Sequence, residues 1–532
     1  MPNISTAELS KHASPNDAWI VINKIVWDVT EFSPKHPGGA EIVNQYLGQD
    51  ATAAYNEVHG PSLVSKHLPA SKKKGILDEL TVTEEWKGQQ SSNIESSRPP
   101  ANEKPPLESI LNMYDFEEVA EKFLSAKSWA FQMTAANDCI TKEANIEWWR
   151  NIWFRPRVLT GVKTVSTSTS ILGTNYDVPI FSAPAALAKL GHPEGELAMA
   201  RALVAKGTTI IACNNASYSF PEIMEVMPKD HPVFFQLYVN KDHRITEKLV
   251  REVSSYNPQA IIVTVDLPVV GKREADERVK TDAAYKAPKS FQSQNVKKDK
   301  KGAGLARATG SFIDADLQWK DIKWLQTITK APIFVKGIQS AWDAKKALAA
   351  GCKGIYISNH GGRAADTAQP SILTLLEIQA NCPEVMEEME VFIDGGIRRG
   401  TDILKAICLG ASGVCLGRPF LYAVGYGQAG MEHAIEILKD ELETAMQMIG
   451  ITSLDQAHPG LVNTAELDRN SVEKRQQAVS PALEAEHQRA LLYVNLGTAE
   501  WEPLDFPEKG VSHYIAFGYC YSSFLFACTS KQ

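Results

Sequence analysis

The sequence predicts an α/β protein, a (β/α)8 barrel preceded by a small separate N-terminal unit. Eight short apolar, β-rich runs recur between residues 179 and 417, most of them separated by amphipathic stretches. Residues 83–106, TEEWKGQQSSNIESSRPPANEKPP, are rich in Ser, Pro, Glu and Gln and have the composition of a solvated linker. At 532 residues the chain is also longer than one ordinary core requires.

The elements follow in order. Before the linker, DAWIVINKIVWDVTEF and TAAYNEVHGPSLV enclose His36 and His59, each at a turn-prone site followed by Gly or Pro. After it, PLESILNMYDFEEVAEKFL has helical spacing, and the aromatic-rich ANIEWWRNIWFRPRVL is expected to close one end of a core. The predicted strands are PIFSAP (179–184), TTIIAC (208–213), VFFQLYV (233–239), AIIVTVD (260–266), PIFVKG (332–337), GIYISN (354–359), VFIDGG (391–396) and SGVCLG (412–417). AWDAKKALAAG and GTDILKAICLGA are typical of the helices between them. A doubly wound open sheet shares this alternation, and the count of eight favours closure.

Composition narrows the function. Lys and Arg number 55 against 63 Asp and Glu, a formal charge of −8, which argues against nucleic acid as a partner. The eight cysteines include no C-x-x-C pair, so neither a zinc site nor a disulfide framework is expected, and a reducing compartment fits. MPNISTAELSKHASPNDAW has neither an apolar secretory core nor an Arg-rich amphipathic stretch, and a cytoplasmic location is expected. YIAFGYCYSSFLFAC, near the end, is shorter than the roughly 20 residues of a spanning helix, so a docked or loose tail is expected rather than a membrane span.

In a barrel the site lies at the C-terminal ends of the strands. There the third strand carries Gln236 and Tyr238, the fourth Thr264 and Asp266, the fifth Lys336, and the sixth Ser358, His360 and Arg363. Singly, each has an ordinary reading as a cap, a snorkelling lysine or a solvated histidine. Together on one rim they are hard to explain by packing. The last two strands end in DGGIRRG and LGRPF, where glycines free backbone N–H groups beside Arg398 and Arg418, as in a phosphate cradle. A phosphate-bearing organic cofactor is expected there rather than a metal cluster. Arg363 is suited to fix a carboxylate, and His360, paired with Asp266, to take a proton from the adjacent carbon or its hydroxyl. This is chemistry for a 2-hydroxy acid.

Residues 107 to about 475 resemble the FMN-dependent α-hydroxy acid dehydrogenase/oxidase family through FFQLYV, TVDLPVVGKREAD, VKGI, SNHGGR and DGGIRRGTDILKAICLGASGVCLGRPF. The resemblance implies that His360 is the catalytic base with Asp266 its partner, that Arg363 binds the substrate carboxylate, and that Tyr238 bonds its hydroxyl. Lys336 is implied to stabilise the reduced flavin, helped by Arg273. FMN contacts are implied at Pro184, Ala185, Ala186 and Cys213, and at Gln236, Thr264, Lys336 and Ser358. The family's phosphate end corresponds to Asp394, Gly395, Gly396, Arg398, Gly417 and Arg418.

With its HPGG motif, the segment 4–80 resembles a cytochrome b5 domain, and His36 and His59 match that family's axial haem ligands. The domains expected are 1–82 (haem), 83–106 (linker), 107–475 (FMN barrel) and 476–532 (tail), an order similar to the flavocytochrome b2 family. The resemblance implies oxidation of an L-2-hydroxy acid to a 2-oxo acid through FMN, with electrons passed to haem b and then to an acceptor such as cytochrome c. It also implies a homotetramer, and the mitochondrial intermembrane space as an alternative location. The basic stretch 279–310 matches a variable loop after the fourth strand and is expected to be mobile.

The sequence departs from the family at Phe131, where a tyrosine usually helps hold the substrate carboxylate, and at Cys213, where a serine usually contacts the flavin. Asn214 and Asn215 fall in the region shaping the side-chain pocket, which favours a polar or larger acid over lactate. Two other readings stay open at this level, an oxidase using oxygen and a catalytically weakened electron-transfer or binding module.

Overall fold

A computed structural model of the chain describes residues 1–36, 39–61, 63–83, 86, 104–285 and 312–468. Barrel strands are numbered here in chain order: β1 Ile180–Ser182, β2 Ile211–Cys213, β3 Phe234–Leu237, β4 Ala260–Thr264, β5 Ile333–Ile338, β6 Gly354–Ile357, β7 Glu390–Ile393 and β8 Gly413–Leu416. All are parallel, and β8 pairs with β1 through Val414 and Ile180. An open doubly wound sheet does not bring its first and last strands together, so the barrel reading holds. Side chains stitch the remaining seam, with Ser182 Oγ accepting from the Ile211 N–H at 3.2 Å and Thr208 Oγ1 donating to the Ile180 carbonyl at 2.6 Å.

The barrel interior explains how apolar strands deliver polar groups to one rim. Phe181, Phe234, Phe334 and Phe392, from the odd-numbered strands, form one buried layer, with the first and last stacked at 5.1 Å. Two residues further along each strand the chain faces inward again. That step leads from Phe234 to Gln236, from Ile262 to Thr264, from Phe334 to Lys336, from Tyr356 to Ser358 and from Phe392 to Asp394. The intervening residues, such as Phe235, Val263, Val335 and Ile357, pack outward in the larger core shared with the helices.

The expected connectors form. Met113–Phe123 is a helix whose first turn is closed by a capping box between Asn112 and Asp115. AWDAKKALAAG and GTDILKAICLGA contain the helices Ala341–Ala349 and Gly400–Cys408. One expectation is corrected: the stretch after β4 begins as a helix, Glu274–Tyr285, so residues 279–285 are not loop. Residues 286–311 lie outside the described part of the chain.

The N-terminal unit has a five-stranded mixed sheet in the order Asn3–Ile4, Lys73–Leu77, Ile25–Asp28, Asp17–Ile22, Ala13–Ser14. Ile22 and Ile25 are joined through Asn23 and Lys24 at φ 51° and 68°, the two positive values that a tight hairpin with the twist of its strands requires. Three short helices, Ala40–Asn44, Thr52–Val58 and Leu63–His67, stand over this sheet. Trp86, inside the expected linker, packs with Val82 against the cluster of Leu9, Val21 and Val26, so the unit extends past residue 82. Most of the linker and the tail 476–532 fall outside the described residues. Among the described residues no helix is long and apolar enough to cross a membrane.

Candidate active site

The strand ends surround a cavity of about 1090 Å³, its open mouth included. Pro184, Ala185, Ala186 and Cys213 line one side, Tyr238, Arg273, Lys336, His360 and Arg363 another, and Asp394 to Arg398 with Gly417 and Arg418 a third. The structure therefore brings the residues expected from the sequence to one place. Gln236, Thr264, Ser358 and Asp266 stand just behind the surface and hold those that line it.

His360 sits in SNHGGR, where three consecutive residues have positive φ: His360 60°, Gly361 62° and Gly362 76°. Such a backbone is costly for a residue with a side chain, and the surrounding structure must enforce it. A Cβ on Gly362 would stand 2.6 Å from the Lys142 backbone nitrogen, so no other residue fits there. The turn delivers His360 Nδ1 to Asp266 Oδ1 at 2.8 Å and leaves Nε2 3.4 Å from the Tyr238 hydroxyl.

Burial lowers the imidazole's proton affinity, and the Asp266 carboxylate only partly restores it, so His360 lies below the ordinary histidine value. Burial also works against a charged Asp266, yet His360 and Lys336 outweigh it and hold this carboxyl below the usual range. An ionised Asp266 accepts the Nδ1 proton, which leaves Nε2 as a base facing the cavity.

Lys336 is buried, donates to Ser358 Oγ at 3.0 Å, and lies 3.8 Å from Asp266 and 3.7 Å from Asp394. A cation between two carboxylates and beneath the cavity is placed to attract developing negative charge above it. Gln236 Nε2 donates to Thr264 Oγ1 at 2.9 Å, and its Oε1 accepts from Cys213 Sγ at 3.3 Å. Burial pushes the Cys213 thiol up to about 12, so it stays a neutral donor as a serine would.

At the carboxylate end, Arg363 Nη2 donates to the Phe131 carbonyl at 2.6 Å and its guanidinium lies 5.0 Å from the Phe131 ring centre. Position 131 therefore holds the arginine through its backbone and ring face, without the expected family hydroxyl. Arg363 Nε is buried with no hydrogen-bond partner, a donor that a bound anion would satisfy.

At the phosphate end the two arginines are held differently. The Arg418 guanidinium binds the carbonyls of Gln132 at 3.0 Å, Gly361 at 3.0 Å and Thr134 at 2.8 Å. These bonds use three of its five N–H donors and tie loops together, and Arg418 also lines the cavity. Arg398 Nε is buried and unpartnered, while its Nη1 donates to the Ile397 carbonyl at 3.2 Å and its Nη2 lies 3.6 Å from Glu117. Gly396, at φ 81°, passes so close to Asn145 that a Cβ would stand 1.9 Å from its carbonyl oxygen, and Trp149 Nε1 fixes the Gly395 carbonyl at 2.8 Å. The glycine turn and the unpartnered Arg398 Nε fit a flavin phosphate.

Sequence reasoning missed Leu267, Val270 and Ile313, which also line the cavity. Ile313 returns beside Asn240 after the long excursion from β4, and no local pattern announces that approach.

In the N-terminal unit His36 follows the turn Ser33–Lys35, and His59 ends the helix Thr52–Val58. Their ring centres lie 6.0 Å apart with the planes 83° from parallel, a separation at which one metal ion could be shared between them. Burial drives His59 down to about 4 and lowers His36 as well, keeping both as neutral donors. With an apolar wall of Ile20, Val43, Leu47 and Leu68 nearby, the pair suits a haem.

Comparison with known proteins agrees with this geometry. Residues 120–464 match the FMN-dependent dehydrogenase family, and residues 5–78 match the cytochrome b5-like heme/steroid binding domain. An L-lactate dehydrogenase (cytochrome) of Saccharomyces cerevisiae is 41% identical over 482 residues, 88% of this chain and 81% of the relative. Glycolate oxidase 3 of Oryza sativa subsp. indica is 40% identical over 69% of this chain and 97% of the oxidase. A solved flavocytochrome b2 mutant with pyruvate bound superposes with a TM-score of 0.63 at 37% identity, covering 81% of this chain and all of that one. A solved mandelate oxidase gives 0.59 at 33% identity, covering 67% of this chain and 98% of the oxidase.

Proposed function

Because this chain belongs to the FMN-dependent dehydrogenase family and carries a cytochrome b5-like domain, we propose that it oxidises an L-2-hydroxy acid larger or more polar than lactate and delivers the electrons singly to a cytochrome c-type acceptor. The protein is a hydroxy acid dehydrogenase with FMN and haem as cofactors. The observation that carries the reaction is the His360–Asp266 pair at 2.8 Å, with Tyr238 and Arg363 on the same cavity wall.

FMN, when bound, supplies a two-electron acceptor, and haem a one-electron outlet. The chain's own groups do the rest. Arg363 holds the substrate carboxylate, and Tyr238 bonds the hydroxyl. Of the two protons that the C–H and O–H bonds give up, His360 Nε2 takes one and the other leaves with the electron pair, which bound FMN would accept, as the C–O single bond becomes a carbonyl. Asp266 keeps the imidazole in the tautomer with its lone pair outward and stabilises the positive charge it gains. Lys336 offsets the negative charge that builds up above it.

Support for the substrate class comes from Asn215, which lines the cavity with Phe131, Val270 and Ile313. Its amide presents a polar group to the cavity, which a polar substrate side chain meets better than a methyl group does. Anaerobic addition of a panel of L-2-hydroxy acids, read by flavin bleaching and reduced-haem bands, tests the assignment. Faster bleaching by lactate than by every polar or bulky acid refutes the substrate class, and bleaching without haem reduction favours an oxidase. The homotetramer and a cytoplasmic location belong to the same proposal, checked by light scattering and by imaging a tagged chain.

A further inference from the structure

The segment bearing a haem ligand rests on a seat built from two loops of the barrel. Lys189 lies on the turn Ala188–Leu190, just after the flavin-side residues Pro184 to Ala186, and its Nζ donates to the carbonyl of His59. Ser217, in the loop after β2, accepts through its carbonyl from the N–H of the next residue, Gly60, at 2.8 Å. A Cβ on Gly60 would come within 3.0 Å of the Tyr218 ring and 3.1 Å of the Ser217 carbonyl oxygen, so the approach is that of bare backbone. Alongside, Val58 packs on the cluster of Phe131, Leu187 and Leu190, against which Ala186 also rests.

The two loops are clipped to each other from below. Glu196, only 2% exposed, accepts through one oxygen from the N–H groups of both Ala188 at 3.0 Å and Ser217 at 2.9 Å. No substrate or cofactor role reaches this carboxyl, since it does not line the cavity. Its bonds instead set the spacing between Lys189 and the Ser217 carbonyl.

We propose that Lys189 and Ser217, held in register by Glu196, form the seat on which the His59–Gly60 peptide docks, and that this seat governs how fast an electron passes from flavin to haem. It rests on the reading that the two cofactors occupy the two sites described. In the step, reduced flavin loses one electron and ferric haem iron becomes ferrous, with the electron supplied by substrate oxidation. Transfer rates fall steeply with separation, and Lys189, four residues beyond Ala185, joins the flavin-side loop to the ligand's own peptide group. Lys189, Ser217 and Glu196 are positioning residues.

The test uses the full-length holoprotein and its Lys189→Met, Glu196→Leu and Glu196→Gln variants. A light flash reduces the flavin photochemically, without substrate, and the haem band is followed in time. Hydrogen exchange is measured over residues 55–68. Lys189→Met is expected to slow haem reduction at least tenfold and to speed exchange in that segment, with bleaching of the flavin by substrate and the haem potential unchanged. Glu196→Gln, which keeps an accepting oxygen, is expected to behave as the parent protein, and Glu196→Leu as Lys189→Met. Haem reduction and exchange that stay at parental values in Lys189→Met overturn the proposal, whether or not Glu196→Leu folds. Neither readout needs a substrate, so failure of every hydroxy acid to bleach the flavin would strike the substrate assignment and leave this result legible.

Discussion

Asp266 and His360, 94 residues apart in the chain, meet at 2.8 Å between Oδ1 and Nδ1 beneath the mouth of the barrel. The carboxylate is fully enclosed and the imidazole keeps 19% of its side-chain surface exposed, which makes the pair a base whose proton affinity is set by the protein.

Flavin reduction by substrate is expected to fall in acid, because His360 must be neutral to accept a proton. Its affinity is lowered, so the acid limb lies below the ordinary imidazole value of about 6.5. Asp266→Asn removes the charge that partly restores that affinity, which moves the limb to lower pH and slows flavin reduction by about 10²–10⁴-fold. Stopped-flow rates across the pH range check both. An acid limb that does not move in Asp266→Asn would show that another group titrates.

Arg363→Lys replaces a planar fork by a point charge at the carboxylate position. Loss of a charge-assisted hydrogen bond worth about 1.5–3 kcal/mol corresponds to roughly a 10- to 150-fold rise in KM. Steady-state kinetics with a fixed artificial acceptor check this, and an unchanged KM would place the carboxylate elsewhere.

Phe131→Tyr adds a hydroxyl on the ring that faces Arg363 across 5.0 Å. One new hydrogen bond to the charged carboxylate, about 1.5–3 kcal/mol, is expected to lower KM roughly 10- to 150-fold. A higher KM would mean that the ring face itself serves the substrate.

Gly396→Ala sets a methyl group against the Asn145 carbonyl at a backbone φ of 81°. Either Asn145 or the Gly395 turn must move, so the purified variant is expected to lose most of its FMN, measured as flavin absorbance per protein. Full retention would place the phosphate away from this turn.

His59→Ala removes one of two imidazoles whose centres lie 6.0 Å apart. The haem absorbance is expected to disappear while flavin bleaching by substrate persists, since His360 and Arg363 lie in the barrel. Retained haem with an unaltered spectrum would exclude His59 as a ligand.

Much of this architecture was legible in one dimension because it rests on short periods. A repeat of two along VFFQLYV or PIFVKG places one core side chain and one site side chain on the same inner face, which any reader of the strands can follow. HPGG and SNHGGR stood out for a similar reason, since their glycines and histidines occur where the backbone bends sharply. The sequence by itself thus determined the barrel, the rim residues and the two histidines of the N-terminal unit. Tertiary structure alone decided how each cation is held. Arg398 and Arg418 look alike in sequence, yet packing leaves Arg398 Nε unpartnered and binds the Arg418 guanidinium to three carbonyls. It also decided that Lys189 meets the carbonyl of His59 and that Glu196 joins the loops around it. Those contacts link segments without a shared period, and whether a donor is satisfied depends on every group that folding brings within about 3 Å of it.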